Sequence, residues 1–113
     1  MQAAAIEVRL AVEAWAEAWS RKDLAAYYEA YTPAFKGDQP SRAAWEETRA
    51  SRIKGKRTIQ VTITDLQIEV RGGVATASFR QTYKGDALTA RSRKTLKLVE
   101  RGGRWRIDSE SSG

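Results

Sequence analysis

The chain has 113 residues, with 20 Lys and Arg against 14 Asp and Glu, and it contains no Cys and no His. These counts exclude disulfides, zinc–thiolate sites and imidazole catalysis, and the length favours one domain with one core. The sequence predicts neither a membrane span nor a signal peptide, so we expect a soluble protein. A net charge of +6 is ordinary for a small soluble domain, although it also suits an anionic partner.

The first half of the chain predicts three helices. Apolar residues at helical spacing predict an amphipathic helix over residues 3–20, namely Val8, Val12, Trp15 and Trp19. Asp23 is a good N-cap for a second helix that Pro33 ends, and Ser41 caps a third that stops at Gly55. The second helix has one apolar stripe with Tyr27 at its edge, formed by Leu24, Tyr28 and Tyr31.

The second half predicts four antiparallel strands. β-branched residues alternate after Lys56, and a change of parity near Thr64 and Asp65 indicates a bulge that bends the first strand. Turn sequences at 72–73, 85–86 and 102–103 separate the strands. We therefore predict an α+β domain over residues 1–110, in which three N-terminal helices pack on the concave face of a strongly bent four-strand sheet. Residues 111–113 read as a disordered tail or an expression remnant.

Several passages in this order resemble the nuclear-transport-factor-2-like superfamily, which includes ketosteroid isomerases and SnoaL-like cyclases. The passages are Val12-Glu-Ala-Trp15-Ala-Glu-Ala-Trp19, Lys22-Asp23-Leu24, Tyr28, Tyr31, Phe35 and Gly103-Arg-Trp105-Arg-Ile107. The resemblance implies a cone-shaped fold with a pocket between the sheet and the helices.

Within that superfamily the chain is most similar to the accessory domain that follows the catalytic domain in some bacterial L,D-transpeptidases. The passages that carry this similarity are Tyr31-Thr-Pro33-Ala-Phe35, Ser41-Arg-Ala-Ala-Trp45-Glu-Glu-Thr-Arg49, Phe79-Arg-Gln81-Thr-Tyr83, Lys94-Thr-Leu96-Lys-Leu98 and Trp105-Arg-Ile107. The transpeptidase reaction needs a Cys and a His, which this chain lacks. The resemblance therefore implies an accessory role, periplasmic if the chain is part of a secreted cell-wall protein and otherwise cytoplasmic.

Four polar side chains lie at the alternate strand positions that face the predicted core. They are Gln81, Tyr83, Ser92 and Lys94. Arg49 lies one helical turn from both Trp45 and Ile53, and Glu110 joins the set if a bulge after Ile107 turns it inward. A buried lysine needs a counter-charge or a changed pKa, so Lys94 requires a partner.

Two interpretations of these residues stay open. In one, Lys94 pairs with Glu110, Arg49 stacks on an aromatic ring, and Gln81 and Tyr83 satisfy one another. In the other, Arg49 and Lys94 bind an anionic or carboxylate-bearing small ligand, helped by Gln81 and Tyr83. The apolar part of that ligand would then meet aromatic residues, including Tyr28 and Trp45.

The sequence favours a non-catalytic domain without a cofactor or a metal. The alternation assigns no carboxylate to an inward strand position, and no phosphate-binding or metal-binding motif is present. A general base that works near neutral pH would have to be a Lys or Glu with a strongly shifted pKa, such as Lys94. The main alternative is a small isomerase or cyclase of the ketosteroid-isomerase type.

A second alternative is a basic interaction module that works through the outward face of the sheet. Seven cations have outward parity: Arg80, Lys84, Arg91, Arg93, Lys97, Arg104 and Arg106. Nucleic acid is not favoured, because no aromatic residue is interleaved for base stacking. So many like charges also disfavour self-association through this face, so we expect a monomer or a weak homodimer.

Overall fold

The computed structural model describes residues 2–112 and contains three helices followed by four strands. The helices are α1 (Gln2–Ser20), α2 (Leu24–Glu29) and α3 (Arg42–Lys54), and the strands are β1 (Ile59–Arg71), β2 (Val74–Gly85), β3 (Leu88–Arg101) and β4 (Arg104–Ser112). The strands form one antiparallel sheet in the order β1-β2-β3-β4. This arrangement confirms the predicted α+β cone, and none of the helices among residues 2–112 has the length and hydrophobicity of a membrane span.

The helix boundaries follow from local capping. The Asp23 side chain accepts a hydrogen bond from the Ala26 N–H at 3.2 Å, and Ser41 accepts one from the Ala44 N–H at 3.1 Å. Both interactions satisfy amide donors that the first turn of a helix leaves without intrahelical partners. Gly55 is the C-cap of α3. The predicted ends of the helices are therefore encoded by short-range contacts.

The end of α2 differs from a simple stop at Pro33. The helix ends at Glu29, and the following residues lie along the edge of β4. The Thr32 N–H donates to the Ile107 carbonyl at 2.8 Å, and the Ile107 N–H donates to the Ala30 carbonyl at 2.8 Å. This pairing covers the edge of β4 near Ile107, which would otherwise expose unpaired backbone groups.

Two irregularities bend the sheet. The register between β1 and β2 shifts between Thr64 and Gln67, and Asp65 has a left-handed φ of 56°. The register between β3 and β4 shifts between Lys97 and Leu98. Bulges increase the local twist and bend of a strand. The predicted bulges at Asp65 and after Ile107 are both present.

The C-terminal end of β4 corrects the predicted tail. Ser111 pairs with Thr95, and Ser112 pairs with Lys94, so the prediction of disorder is wrong for these two serines, whereas Gly113 lies outside the described residues. The small polar sequence indicated disorder, but ladder pairing uses backbone groups that every non-proline residue carries. Pairing with β3 therefore orders this segment.

The core lies between α1 and the concave face of the sheet. Its fully buried side chains include Trp15 on α1, Phe79 on β2 and Leu96 on β3. Tyr27 is also buried, with 2% of its surface exposed, whereas Tyr28 is half-buried. Tyr31 is buried as the stripe predicts, but Tyr27 takes the place of Tyr28 on the buried side of α2, because it packs against Trp19 of α1 and Trp45 of α3.

Candidate functional site

A chain of polar contacts runs through the core of the cone, starting at Lys94. The Lys94 Nζ lies 2.5 Å from Glu110 Oε2. The other carboxylate oxygen of Glu110 accepts a hydrogen bond from the Tyr31 hydroxyl at 2.7 Å. The Trp15 indole N–H in turn donates to the Tyr31 oxygen at 2.9 Å. Both oxygens of Glu110 are therefore occupied by partners within the protein.

The same chain continues outward to α3. The hydroxyls of Tyr27 and Tyr31 lie 3.3 Å apart, and Arg49 Nε donates to the Tyr27 oxygen at 3.0 Å. Because Tyr31 gives its proton to Glu110, Tyr27 is the donor toward Tyr31. The hydrogen bonds thus point in one direction, from Arg49 through both tyrosines to Glu110.

The protonation of the two tyrosines agrees with these assignments. Burial raises the pKa of Tyr31 well above its ordinary value, and the nearby Glu110 carboxylate adds to the effect. Burial also raises the pKa of Tyr27, against the opposing charge of Arg49. Desolvation disfavours a phenolate, so both hydroxyls keep their protons at neutral pH and act as donors.

Arg49 lies between two cavities at the open end of the cone. Its guanidinium carbon is 5.2 Å from the centre of the Trp19 ring and 5.5 Å from that of Tyr27. One cavity has a volume of about 810 Å³ and the other about 610 Å³, and Arg49 lines both. Within residues 2–112 it has no carboxylate partner at ion-pair distance, in contrast to Lys94.

The smaller cavity, here called the Gln81 cavity, contains an unpaired polar atom. Its lining includes Trp19, Arg49, Ile53, Gln81, Tyr83 and Leu88. Gln81 is 7% exposed, and its Oε1 has no hydrogen-bond partner among the described residues. Gln81 and Tyr83 therefore do not satisfy one another as one interpretation required. Buried carbonyl oxygens are normally paired, so this one is available to a donor.

The sequence predicts that Tyr28 and Trp45 both contact the ligand, but only Trp45 lines a cavity beside Arg49. The Tyr28 hydroxyl donates to the Glu46 carbonyl at 2.7 Å, and Tyr28 lines neither of the two cavities beside Arg49. Trp45 lines the larger cavity, and it packs edge-on against Tyr31 with ring centres 4.7 Å apart. Tyr28 thus joins α2 to α3, while Trp45 forms a wall.

Two tyrosines and one serine differ from what the sequence predicts. The apolar stripe includes Tyr31 and has Tyr27 at its edge, although a buried tyrosine hydroxyl normally needs a partner, which is the signal that points to both as polar members of the network. Ser92 is exposed despite its inward parity. It lies on the part of β3 that extends beyond the helices, so no element covers it.

The outward cations are fewer than the seven expected. Arg104 and Arg106 lie 3.5 and 3.6 Å from the Glu29 carboxylate at the end of α2. Arg106 Nε also donates to the Glu29 carbonyl at 3.2 Å. As residues of an edge strand, they turn toward the helices, and five cations stay on the convex face.

The family model of the Cds6 C-terminal NTF2-like domain matches residues 7–111. Among solved structures, Bd1075 from Bdellovibrio bacteriovorus is 22% identical with a TM-score of 0.83, over 90% of this chain and 37% of Bd1075. Pgp2, a helical cell shape determining protein from Campylobacter jejuni, is 19% identical with a TM-score of 0.78, over 89% of this chain and 38% of Pgp2. The chain thus spans less than two fifths of either protein.

A third similar structure has nearly the same length as this chain. It is a proposed dehydratase of the NTF2-like family from Streptomyces avermitilis, 17% identical with a TM-score of 0.85, over 99% of this chain and 97% of that protein. At these identities the likeness shows a common fold. No curated protein sequence matches the chain.

Proposed function

We propose that this chain, which belongs to the Cds6 C-terminal NTF2-like domain family, is a non-catalytic accessory domain that binds a small carboxylate-bearing ligand beside Arg49. The observation that carries this proposal is the contrast between the two interior cations. Lys94 is neutralised by Glu110 at 2.5 Å, whereas Arg49 has no carboxylate at ion-pair distance within residues 2–112. An arginine held in place by Trp19 and Tyr27 is well suited to bind a carboxylate in a bidentate manner.

The lining of the Gln81 cavity favours a ligand that has a hydrogen-bond donor and an apolar group in addition to its carboxylate. The buried Gln81 Oε1 lacks a donor, so a ligand N–H or O–H group would satisfy it. Ile53, Tyr83 and Leu88 supply apolar surface in the same cavity. These features fit a small carboxylic acid that has a hydrogen-bond donor near the carboxylate and a modest apolar group.

A role in the cell wall is the biological setting that we favour. Its support is the similarity to Pgp2, which determines helical cell shape, together with the resemblance of several sequence passages to accessory domains of L,D-transpeptidases. The chain covers only 38% of Pgp2, so the association with a catalytic domain belongs to the proposal. In that setting the domain would hold a ligand while chemistry takes place elsewhere.

An isomerase or dehydratase activity is the alternative, and its support is the fold shared with the Streptomyces avermitilis protein. A general base must reach the proton that it removes and be free to accept it. Glu110 is the carboxylate nearest to the interior, and each of its oxygens already accepts one hydrogen bond, from Tyr31 or Lys94. A substrate would have to compete with these two partners for the remaining lone pairs. The geometry therefore favours a structural role for Glu110 and a binding role for the domain.

The test uses N-acetyl amino acids with small apolar side chains as probes, since they combine a carboxylate with an adjacent N–H. We expect these acids to raise the melting temperature and to shift NMR signals of residues around the Gln81 cavity, whereas their methyl esters should have no effect. Arg49→Ala should abolish the response. Arg21→Ala, an exposed arginine at the end of α1 that lines neither cavity, is the matched control.

Two results would overturn the proposal. One is an equal response of wild type and Arg49→Ala to the acids, and the other is an equal response of wild type to acids and esters. Turnover of an enolisable ketone that survives in Arg49→Ala but is lost in Glu110→Gln would instead support the enzyme.

A further inference from the structure

The excess positive charge of the chain lies entirely in its second half. Residues 1–55 contain eight Lys and Arg and eight Asp and Glu, whereas residues 56–113 contain twelve Lys and Arg and six Asp and Glu. The first half, which contains the helices and the loops between them, therefore carries no net charge. The whole excess of +6 belongs to the half that forms the sheet.

Five cations of the sheet form one surface, the convex basic face, opposite to the helices. Its members are all exposed: Arg80 and Lys84 on β2, and Arg91, Arg93 and Lys97 on β3. Arg80 is directly opposite Arg93 in the ladder, and Thr82 is opposite Arg91. Alternate residues of a strand lie about 7 Å apart, so Arg91 and Arg93 form a regular row.

The convex basic face has little countercharge. Asp65 lies 3.4 Å from Arg80, and within residues 2–112 no ion pair involves Lys84, Arg91, Arg93 or Lys97. Like charges directly opposite each other in a sheet are destabilising, and Arg80 and Arg93 are such a pair. A surface that concentrates unneutralised positive charge is complementary to an anionic partner.

The row of cations is interrupted by hydroxyl groups. Ser78 and Thr95 are partners in the ladder, with their side-chain oxygens 3.4 Å apart, and they lie between Arg93 and Lys97. Along β3, the cations Arg91 and Arg93 are thus followed by uncharged hydroxyl side chains and then by the cation Lys97. A polymer with a negative charge on every unit would find no cation opposite the unit that lies at Ser78 and Thr95.

Two observations disfavour nucleic acid on this face. Every aromatic side chain among residues 2–112 is buried or half-buried, and Phe79 and Tyr83 have the inward parity of β2. The face therefore offers no ring for base stacking. Its convex curvature also limits contact with a straight duplex, whereas a flexible chain can follow it.

We propose that the convex basic face binds a flexible acidic polysaccharide in which carboxylated sugars alternate with neutral, hydroxyl-rich sugars. Arg91 and Arg93 bind the carboxylate of one acidic sugar, the hydroxyls of Ser78 and Thr95 contact the next, neutral sugar, and Lys97 meets the following carboxylate. This site goes beyond the proposed function and is separate from the Gln81 cavity, since the two open on opposite faces of the sheet.

The test measures binding of hyaluronan oligosaccharides, which alternate a carboxylated and a neutral sugar, at low ionic strength and again near 0.15 M salt. Binding should weaken with salt, because screening reduces the attraction between exposed charges. The double variant Arg91→Glu/Arg93→Glu should lose at least about tenfold in affinity. The control is Arg9→Glu/Arg21→Glu, which makes the same change in net charge at two exposed positions, one on α1 and one just after its end, and should stay within about threefold of wild type.

Three outcomes would overturn the inference. They are an equal loss in both double variants, which would show an effect of net charge alone; equal or tighter binding of polyphosphate or duplex DNA; and no measurable binding of hyaluronan by wild type. Circular dichroism checks that the variants are folded, and Arg91→Gln/Arg93→Gln is the milder replacement. Arg49→Ala should bind hyaluronan like wild type, which separates this site from the one in the cavity.

Discussion

Lys94 on β3 and Glu110 on β4 form an ion pair, 2.5 Å between Nζ and Oε2, inside the cone. Only 9% of the lysine side chain and 21% of the glutamate side chain are exposed. The bulge after Ile107 makes the pair possible, since it returns Glu110 to the inward face of β4. The pair is also the inner end of the hydrogen-bonded line that begins at Arg49.

Removing one member of this ion pair should destabilise the folded protein. Glu110→Leu leaves the Lys94 ammonium buried without a countercharge and the Tyr31 hydroxyl without its acceptor, so we expect a loss of about 3 kcal/mol in the free energy of unfolding. The double variant Lys94→Met/Glu110→Leu should recover most of this loss. Urea unfolding of the wild type, both single variants and the double variant measures the coupling, and additive losses would contradict it.

The buried tyrosines predict a loss of stability at alkaline pH. Their pKa values lie above the ordinary value of 10.0, mainly because burial disfavours the phenolate. A raised pKa in the folded state gives stability that is fully present below pH 10 and is lost as the pH rises through the folded value. Absorbance at high pH should therefore show Tyr27 and Tyr31 ionising together with unfolding. Tyr31→Phe should remove part of that cooperative step, and an unchanged step would contradict this origin.

We expect the Gln81 side chain to lower the stability of the fold and to strengthen ligand binding. Gln81→Leu replaces a buried carbonyl that lacks a partner with an apolar group of similar size, so we expect the free energy of unfolding to rise by about 1 kcal/mol. Binding of N-acetyl amino acids should weaken in the same variant. Gln60→Leu, at an exposed position of β1, is the control. A destabilised Gln81→Leu protein would indicate that the amide already has its partners.

Gly85 supports the ring of Tyr83. A Cβ at this position would lie 2.8 Å from two carbons of the Tyr83 ring, so Gly85→Ala must displace the ring from the wall of the Gln81 cavity. We expect a cost of about 1–2 kcal/mol and weaker ligand binding. In a Tyr83→Ala background the same substitution should be almost neutral, and a full cost there would exclude the ring as the cause. Gly73→Ala, which meets no atom closer than 3.9 Å, is the control for turn glycines.

The elements and their order follow from local signals in the sequence. Asp23, Ser41 and Gly55 mark helix boundaries through contacts within a few residues, and the parity change at Asp65 marks the bulge. These signals are local, so they can be read without knowledge of the fold. Alternation along the strands also put Gln81 and Lys94 on the inward side.

Which of those residues contact each other depends on tertiary packing. Tyr31 lies 79 residues from Glu110, and no periodicity encodes a hydrogen bond across that separation. The burial of Tyr27 in place of Tyr28, the pairing of Ser111 and Ser112 with β3, and the exposure of Ser92 all depend on what packs against each segment. The division between Lys94, which is neutralised, and Arg49, which is not, arises in the same way: it depends on where the β4 bulge places a single carboxylate.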